Sequence, residues 1–456
     1  MWKIYKFSIP KNLWGPYSPY KLVTRKLKRI DIISLGCSKN LIESERLIKR
    51  LKTKGYEVNF DPEEPQGDYV VVNTCGFISD AKEESINTIL SLCERKKEGD
   101  IGKIIVMGCL SQRYLDSLKE EIPEVDQWFG KFDYGEFVSQ LPDLIKNKEP
   151  EPWERTITTP PHSAYLKISE GCNRFCAFCA IPSITGRHAS RPIEEIRKEV
   201  KSLVKEGVKE FNIIAQDLSA YGTDIYGRHA LPELLDNIAD IEGVEWIRLH
   251  YAYPSDFPLE VLDVMAKREN VCNYLDIALQ HISDKVLSNM RRHISKEETL
   301  QLLSKIRKKV PGIKIRTTLM TGFPGEGEKE FEELLEFVKS QRFDRMGAFT
   351  YCEEEDTYAA KYLKDEIPEE IKENRLDRLM ELQQEISQDL NNEMVGSYQK
   401  VLIDRVEDGI AYGRTQYDSP EVDPEVIIKN ESLIPGEFVD VRIIEAYPFE
   451  LIGEVV

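Results

Sequence analysis

Between residues 30 and 150, short apolar runs of β type alternate with amphipathic stretches of helical period. The runs are 30–35 (IDIISL), 69–73 (YVVVN) and 103–107 (KIIVM), and the helical stretches are 41–54, 80–97 and a shorter one from Ser111. This alternation predicts a parallel α/β sheet. Past a connector carrying Pro150, Pro152, Pro160 and Pro161 the alternation lengthens. Strands are predicted at 164–169, 210–215, 246–251, 274–278, 314–320 and 346–351, with helices at 193–206, 231–238, 259–268, 296–309 and 329–339. Six such units predict an incomplete (β/α)6 barrel with its site at the carboxyl ends of the strands. Pro368 then opens a long helix over 369–392, whose Leu376, Leu379, Met380, Leu382, Ile386 and Leu390 share one face and are expected to pack on the barrel. From Gly396 short strands and turns predict a small antiparallel β-barrel. The expected division is therefore 1–29 as an extension, 30–150, 160–365, a linker helix over 366–395, and 396–456.

Composition narrows the class. The 456 residues carry a net charge of −18, which argues against a general nucleic-acid coat and favours a basic partner. No apolar run approaches the ~20 residues of a membrane span. Nine cysteines, mostly clustered, fit metal sites in a reducing compartment better than a disulfide framework, so a cytoplasmic location is expected. Residues 1–29 hold eight basic side chains and no acid, with Pro10, Pro16 and Pro19 among them. They read as a flexible basic arm, or as an upstream start that adds nothing to the fold.

The chemistry concentrates in YLKISEGCNRFCAFC, residues 165–179, where Cys172, Cys176 and Cys179 form a C-x3-C-x2-C array. Three thiolates so spaced can hold three corners of a cubic iron–sulfur cluster and leave one iron without a protein ligand. A zinc site is the alternative; it needs a fourth ligand, and His188 is the only nearby candidate. In the first region each strand ends alike: Gly36-Cys37, Thr74-Cys75-Gly76 and Gly108-Cys109. In a parallel sheet these turns fall on one edge, so Cys37, Cys75 and Cys109 form a second three-thiolate nest and are expected to hold a second cluster. Cys93 sits at helical spacing with Ile86, Ile89 and Leu90 and reads as core; Cys272 and Cys352 read as structural. Asn40 and the Glu43-Ser44-Glu45 group are either ordinary helix-start residues or line the cysteine edge.

On the barrel rim the polar groups are Gln216-Asp217, His250-Tyr251, Gln280-His281 and the loop from Gly322 to Gly327. His250 and His281 read equally well as satisfied rim histidines. Arg187 and Arg191 flank the cysteine loop and are candidates for pairing with a carboxylate, and Arg316 and Thr318 alternate along the fifth strand.

Two three-cysteine sites in this order resemble the methylthiotransferases, radical S-adenosylmethionine (SAM) enzymes with an amino-terminal cluster domain. The resemblance rests on SLGCSKN, VVNTCGF, VMGCL, SEGCNRFCAFC, TGRHASRP and TGFPGE, and runs from about residue 30 to the end. It implies a transferase with two 4Fe–4S clusters. Cys172, Cys176 and Cys179 would hold the cluster that binds SAM and generates a 5′-deoxyadenosyl radical. Cys37, Cys75 and Cys109 would hold the auxiliary cluster, whose sulfur receives a methyl group before CH3–S is inserted into substrate. Phe178, Gln216, Asp217, Arg316 and Gly322 are the expected contacts to SAM, and the final barrel resembles a TRAM domain. A reductant such as flavodoxin or ferredoxin and a sulfur donor are implied as partners.

The family divides between C2 of a tRNA adenosine and the β-carbon of an aspartate in ribosomal protein S-twelve. Residues 396–456 carry five basic against thirteen acidic side chains, a balance of −8. Such a barrel repels phosphates and attracts a basic protein, whether free or on the small subunit. AQDLSAYGTDIYG and HYAYPSDFP also look like the protein-modifying branch, so the aspartate is the expected substrate and tRNA the alternative. An iron–sulfur electron carrier or redox sensor is the non-enzymatic alternative.

Overall fold

The β-branched run Val70-Val71-Val72 is wholly buried in strand β3 (Tyr69–Thr74), the centre of the first sheet. A computed structural model describes residues 28–456, so the arm expected over 1–29 lies almost entirely outside the described residues. Around β3 stand β1 (Arg29–Ser34), β2 (Glu57–Phe60), β4 (Lys103–Gly108) and β5 (Gln127–Trp128), in the order β2-β1-β3-β4-β5, all parallel. The helices are α1 (Ser38–Thr53), α2 (Ser79–Glu98), α3 (Cys109–Glu121) and α4 (Tyr134–Gln140). The edge strands β2 and β5 lack an apolar run long enough to be read from sequence.

The second sheet has six parallel strands: β6 (Ser163–Lys167), β9 (Glu210–Ile214), β10 (Trp246–Ala252), β11 (Val271–Ile277), β12 (Lys314–Thr321) and β13 (Arg345–Thr350). Their spatial order, β6-β9-β10-β11-β12-β13, is the open barrel that the alternation predicts. A short antiparallel pair, β7 (Ser169–Glu170) and β8 (Ala189–Ser190), flanks the cysteine loop and the five-residue α5 (Ile181–Thr185). Around the barrel lie α6 (Ile193–Lys205), α7 (Leu231–Ala239), α8 (Glu260–Lys267), α9 (Asp284–Asn289), α10 (Lys296–Lys309), α11 (Glu328–Gln341) and α12 (Tyr358–Tyr362). The long α13 (Glu369–Asn392) packs through Leu379 and Ile386 into the same core as Phe337, Val338 and Phe343.

The carboxy-terminal barrel closes through β14 (Tyr398–Glu407), β15 (Ile410–Thr415), β16 (Glu425–Ile428), β17 (Phe438–Ala446) and β18 (Glu450–Val455). One departure from an all-antiparallel barrel is the parallel pairing of β16 with β18, which completes the closure. This barrel docks on the amino-terminal mouth of the larger one, since its partners there are residues at strand starts. Trp246 meets Phe438 edge-to-face at 4.9 Å, and Leu402 packs on Cys272 and Tyr274. Arg345 Nη2 donates to Asp418 at 2.7 Å, Arg316 Nη1 to Asp423 at 2.6 Å, and Tyr274 Oη to Asp423 at 2.7 Å. The 416–424 segment thus enters the mouth and neutralises buried cations.

The first sheet is tied to the large barrel on two sides. Arg155, buried in the connector, donates through Nε to Glu199 of α6 at 2.8 Å and through Nη1 to Glu45 of α1. Lys167 of β6 pairs with Glu43. Opposite, Glu354 accepts from Lys82 at 2.8 Å and Arg113 at 2.7 Å. Glu43 and Glu45 are therefore interdomain ties, while Ser44 bonds Ser34 and Asn73 within the first sheet.

Candidate functional site

Cys37 immediately precedes α1, Cys75 follows β3 and Cys109 is the first residue of α3. Because β1, β3 and β4 are neighbours, the three thiols share the carboxyl edge of the sheet. At Gly36 (φ +90°) a Cβ would lie 2.8 Å from Cys75 Sγ, so a side chain there would force the turns apart. Asn40 cross-links the turns: Nδ2 donates to Leu35 O at 3.1 Å and Thr74 O at 2.9 Å, and Oδ1 accepts from Cys109 Sγ at 3.4 Å. Of its two sequence readings, the one that lines the cysteine edge holds. Burial pushes the Cys109 thiol up to about 12. At Cys37 burial acts the same way but is outweighed by the Lys39 ammonium, the Asn40 and Lys39 amides and Lys131, so the thiol lies below its usual range.

Cys172, Cys176 and Cys179 lie in the loop between β7 and α5. Cys172 N donates to Gly186 O at 3.2 Å and Ala177 N to Met290 O at 2.9 Å, which fixes the loop against two other segments. Arg292 Nη1 donates to Cys176 Sγ at 3.3 Å, and Tyr253 Oη lies 3.7 Å from the same sulfur. The Tyr253 hydroxyl also donates to Arg292 O at 2.8 Å while its ring lies under the guanidinium at 4.1 Å. Burial pushes Cys172 up to about 11 and Cys179 up to about 12.

The two triads meet. Cys109 shares an apolar contact with Ala180 and Ile184, just beyond Cys179. Lys131, from the first domain, donates to Glu170 Oε1 at 3.0 Å, two residues before Cys172. Lys39 places its ammonium 3.4 Å over the ring of Tyr251 on the barrel rim. These three contacts bring Cys109, Lys131 and Lys39, beside Cys37, against the barrel rim and the segments flanking Cys172 and Cys179 across the interdomain boundary. Among the described residues no three His, Cys, Asp or Glu side chains are close enough to hold a single metal ion. His188, the fourth ligand a zinc site would need, instead bonds Ser190 Oγ at 3.0 Å.

The other sequence candidates divide. Phe178 packs edge-to-face on Phe323 at 6.1 Å, joining the cysteine loop to the glycine-proline loop. Asp217 accepts from Arg174 Nε at 2.6 Å, and Gln216 donates to Glu170. Arg316, near the start of β12, donates to Asp423 at 2.6 Å on the side of the amino-terminal mouth. Gly322 sits in a tight turn. Its φ of +74° serves the turn, its N–H donates to Glu326 Oε1 at 3.0 Å, and a Cβ there would collide with Lys372 of α13. Both roles depend on residues far along the chain that local pattern does not show. His281 bonds Glu326 at 3.1 Å and accepts from Ser283 N at 3.0 Å, a satisfied core histidine. His250, facing Asn212 at 3.3 Å, is held well below its usual range by burial and then by Arg248. Arg191 spans Glu195 and Glu199. Cys93 and Cys272 are buried in apolar clusters, but Cys352 is exposed and is not a packing residue. Arg292 and Lys131 carried no sequence signal, since single basic residues are common in so charged a chain.

Comparison with known proteins gives the site its setting. Residues 166–338 match the Radical SAM superfamily, residues 29–130 match the uncharacterized protein family UPF0004, and residues 395–456 match the TRAM domain. Ribosomal protein uS12 methylthiotransferase RimO of Phocaeicola vulgatus is 58% identical over 432 residues, covering 94% of this chain and 100% of that one. The chain belongs to the RimO family. The RimO of Bacteroides fragilis is 58% identical over 434 residues, and that of Cytophaga hutchinsonii 49% over 435, at 94% coverage of this chain in each case. Among solved structures, the radical S-adenosylmethionine methyltransferase TsrM from Kitasatospora setae aligns with a TM-score of 0.53 over 85% of this chain and 80% of that one. At 14% identity this likeness to a RimO-family chain is one of fold. Among the described residues no helix is long and apolar enough to cross a membrane.

Proposed function

We propose that the chain is a radical SAM methylthiotransferase that inserts CH3–S at the β-carbon of an aspartate in ribosomal protein uS12, using one SAM as methyl donor and a second as radical source. The observation that carries this reading is the packing of Cys109 of one cysteine triad on Ala180 and Ile184, just after Cys179 of the other. A carrier that only passes electrons has no need of two three-thiolate sites that each leave an iron open.

The residues present fit the groups the reading requires. Each triad offers three thiols and no fourth ligand, the donor set of a cubic cluster with one open iron. Around Cys172–Cys179 several buried polar atoms lack a protein partner: Ser169 Oγ, Gln216 Oε1, Asp217 Oδ1, Gln280 Oε1 and Arg292 Nε. Unsatisfied buried groups at this density are characteristic of a polar ligand site. When bound, the two 4Fe–4S clusters and SAM supply the radical and the methylthio group. The chain's own part is to bind and orient. Cys172, Cys176 and Cys179 hold the SAM-binding cluster, and Cys37, Cys75 and Cys109 the auxiliary one. Gln216, Asp217 and Gln280 offer acceptors to the hydroxyl and ammonium groups of SAM, and Phe178 braces the loop. Arg292 offsets thiolate charge at Cys176. A reductant such as flavodoxin or ferredoxin and a sulfur donor complete the turnover.

The exposed acids Glu431, Glu437, Asp440, Glu445, Glu450 and Glu454 of the last barrel favour a basic ribosomal protein over RNA. The test is to incubate reconstituted protein with SAM, a reductant and either uS12 or tRNA, and to weigh the products. A methylthio gain on uS12 is expected; modification of tRNA adenosine with uS12 untouched overturns the reading, and no 5′-deoxyadenosine points to an electron carrier. Iron is expected at about eight per chain, halved by alanine at all three cysteines of either triad.

A further inference from the structure

Lys39 lies two residues after Cys37 and is half-buried at the boundary between the first sheet and the barrel, yet the partner of its ammonium is the ring of Tyr251 at 3.4 Å, not a carboxylate. In a chain of net charge −18, acids outnumber bases 80 to 62, and the neighbouring cations Lys131 and Arg174 each pair with one. An ammonium resting on a ring face keeps N–H donors directed away from the ring. Its platform is built with care. Tyr251 takes a left-handed conformation (φ +63°), unusual for an aromatic residue and held here by its N–H donating to buried Asp276 Oδ2 at 3.1 Å. Leu218 N donates to Tyr251 O at 3.2 Å, fixing the same turn from β9's side. The ring stays 39% exposed on the rim.

We infer that Lys39, steadied on Tyr251, binds the carboxylate of the substrate aspartate and so selects an acidic side chain for modification. The inference rests on the proposed function. The chemistry suits the position: in aspartate the carboxyl carbon is bonded directly to the β-carbon, so a cation that holds the carboxylate locates the reacting carbon to within one bond. It does so beside Cys37, on the wall from which the methylthio group is to come. A neutral base such as adenine offers no charge for this ammonium. Lys39 is thus a specificity residue and takes no part in bond-making.

The experiment compares binding of uS12 and of its target Asp→Asn form to holoenzyme, for wild type, Lys39→Met and Lys39→Arg. A charge-assisted hydrogen bond corresponds to a preference of about 10- to 100-fold for the acid, which wild type is expected to show. Lys39→Met is expected to abolish that preference and Lys39→Arg to keep most of it, a rescue that a purely structural role does not give. The preference is also expected to shrink as salt rises. Equal weakening of both forms in Lys39→Met, or an undiminished preference, overturns the inference while leaving the function intact. Failure of the wild type to modify uS12 at all overturns the function, and the inference with it.

Discussion

Arg414 and Glu210 form a two-pronged ion pair, Nη1 to Oε1 at 2.9 Å and Nη2 to Oε2 at 2.8 Å, with both side chains buried. Arg414 belongs to β15 and Glu210 opens β9, so the pair locks the small barrel on the mouth of the large one. Arg248 shares the same carboxylate at 3.0 Å. Replacing Glu210 by Gln leaves two buried guanidiniums short of charge, a loss of about 3–5 kcal/mol. The expected readouts are a lower urea midpoint and early proteolysis between α13 and β14. Burial raises the Glu210 carboxyl, but Arg414 and then Arg248 draw it far below its usual range. Its contribution is therefore full above pH 4.5 and is lost as pH falls through the folded value.

Glu199 responds in the same sense at the other junction. Burial opposes its ionisation, yet Arg191 and then Arg155 hold it at about 2 against 4.5 when unfolded. The sign gives stability that is complete above pH 4.5 and declines toward pH 2, by about 3 kcal/mol in all. Arg155→Gln is expected to move the acid-unfolding midpoint upward and to speed amide exchange in α1, which loses its tie through Glu45. An unchanged acid midpoint counts against the ion-pair account.

Asp276 behaves oppositely. Burial raises its carboxyl to about 6, an effect that nearby Asp423 reinforces, while Arg316, the Tyr251 amide and Lys39 only partly offset it. The native state then binds more protons than the unfolded one between pH 4 and 6, so this group's stabilisation falls as pH rises through that window, by about 3 kcal/mol at most. Asp276→Asn keeps an acceptor for Tyr251 N and is expected to raise Tm at pH 7.5 but not at pH 4. Equal shifts at both values argue that folding does not raise the Asp276 carboxyl.

The acidity of the last barrel has two parts with separate roles. Asp418 and Asp423 have fully buried side chains paired with Arg345 and Arg316, and Glu425 pairs with Arg405. Asp418→Asn with Asp423→Asn is therefore expected to lower Tm. Replacing exposed Glu445, Glu450 and Glu454 by Gln is expected to raise KM for uS12 several-fold at low salt and little at high salt, since exposed charges act mainly on association. The reverse pattern removes the proposed recruiting role.

How far the sequence reaches is clearest at the cysteines. The repeated strand-Gly/Cys punctuation placed Cys37, Cys75 and Cys109 on one edge because a parallel sheet has only one carboxyl edge to offer. The rim positions of Gln216 and Asp217 follow from the same rule. What surrounds Arg316 and Gly322 was not legible, because their neighbours Asp423 and Lys372 lie 107 and 50 residues further on. The balance of −8 over 396–456 counted Asp418 and Asp423 with the exposed acids, because charge can be counted in a sequence but burial cannot. Lys39 stood in a quoted motif, yet nothing in the order of residues announces the ring beneath it.

The loop that enters the barrel mouth also orders events during synthesis. Arg316 and Arg345 find their carboxylates only in Asp423 and Asp418, more than 70 residues downstream. Until those residues are made, Arg316 and Arg345 lack the carboxylates that pair with them directly. The amino-terminal mouth of the barrel is therefore completed only once residues 416–424 are in place. A copy that ends before Asp418 carries every cysteine of both triads but leaves those two guanidiniums without their carboxylates at the barrel's other end, so holding the sulfurs and closing the fold are separate tasks along the chain.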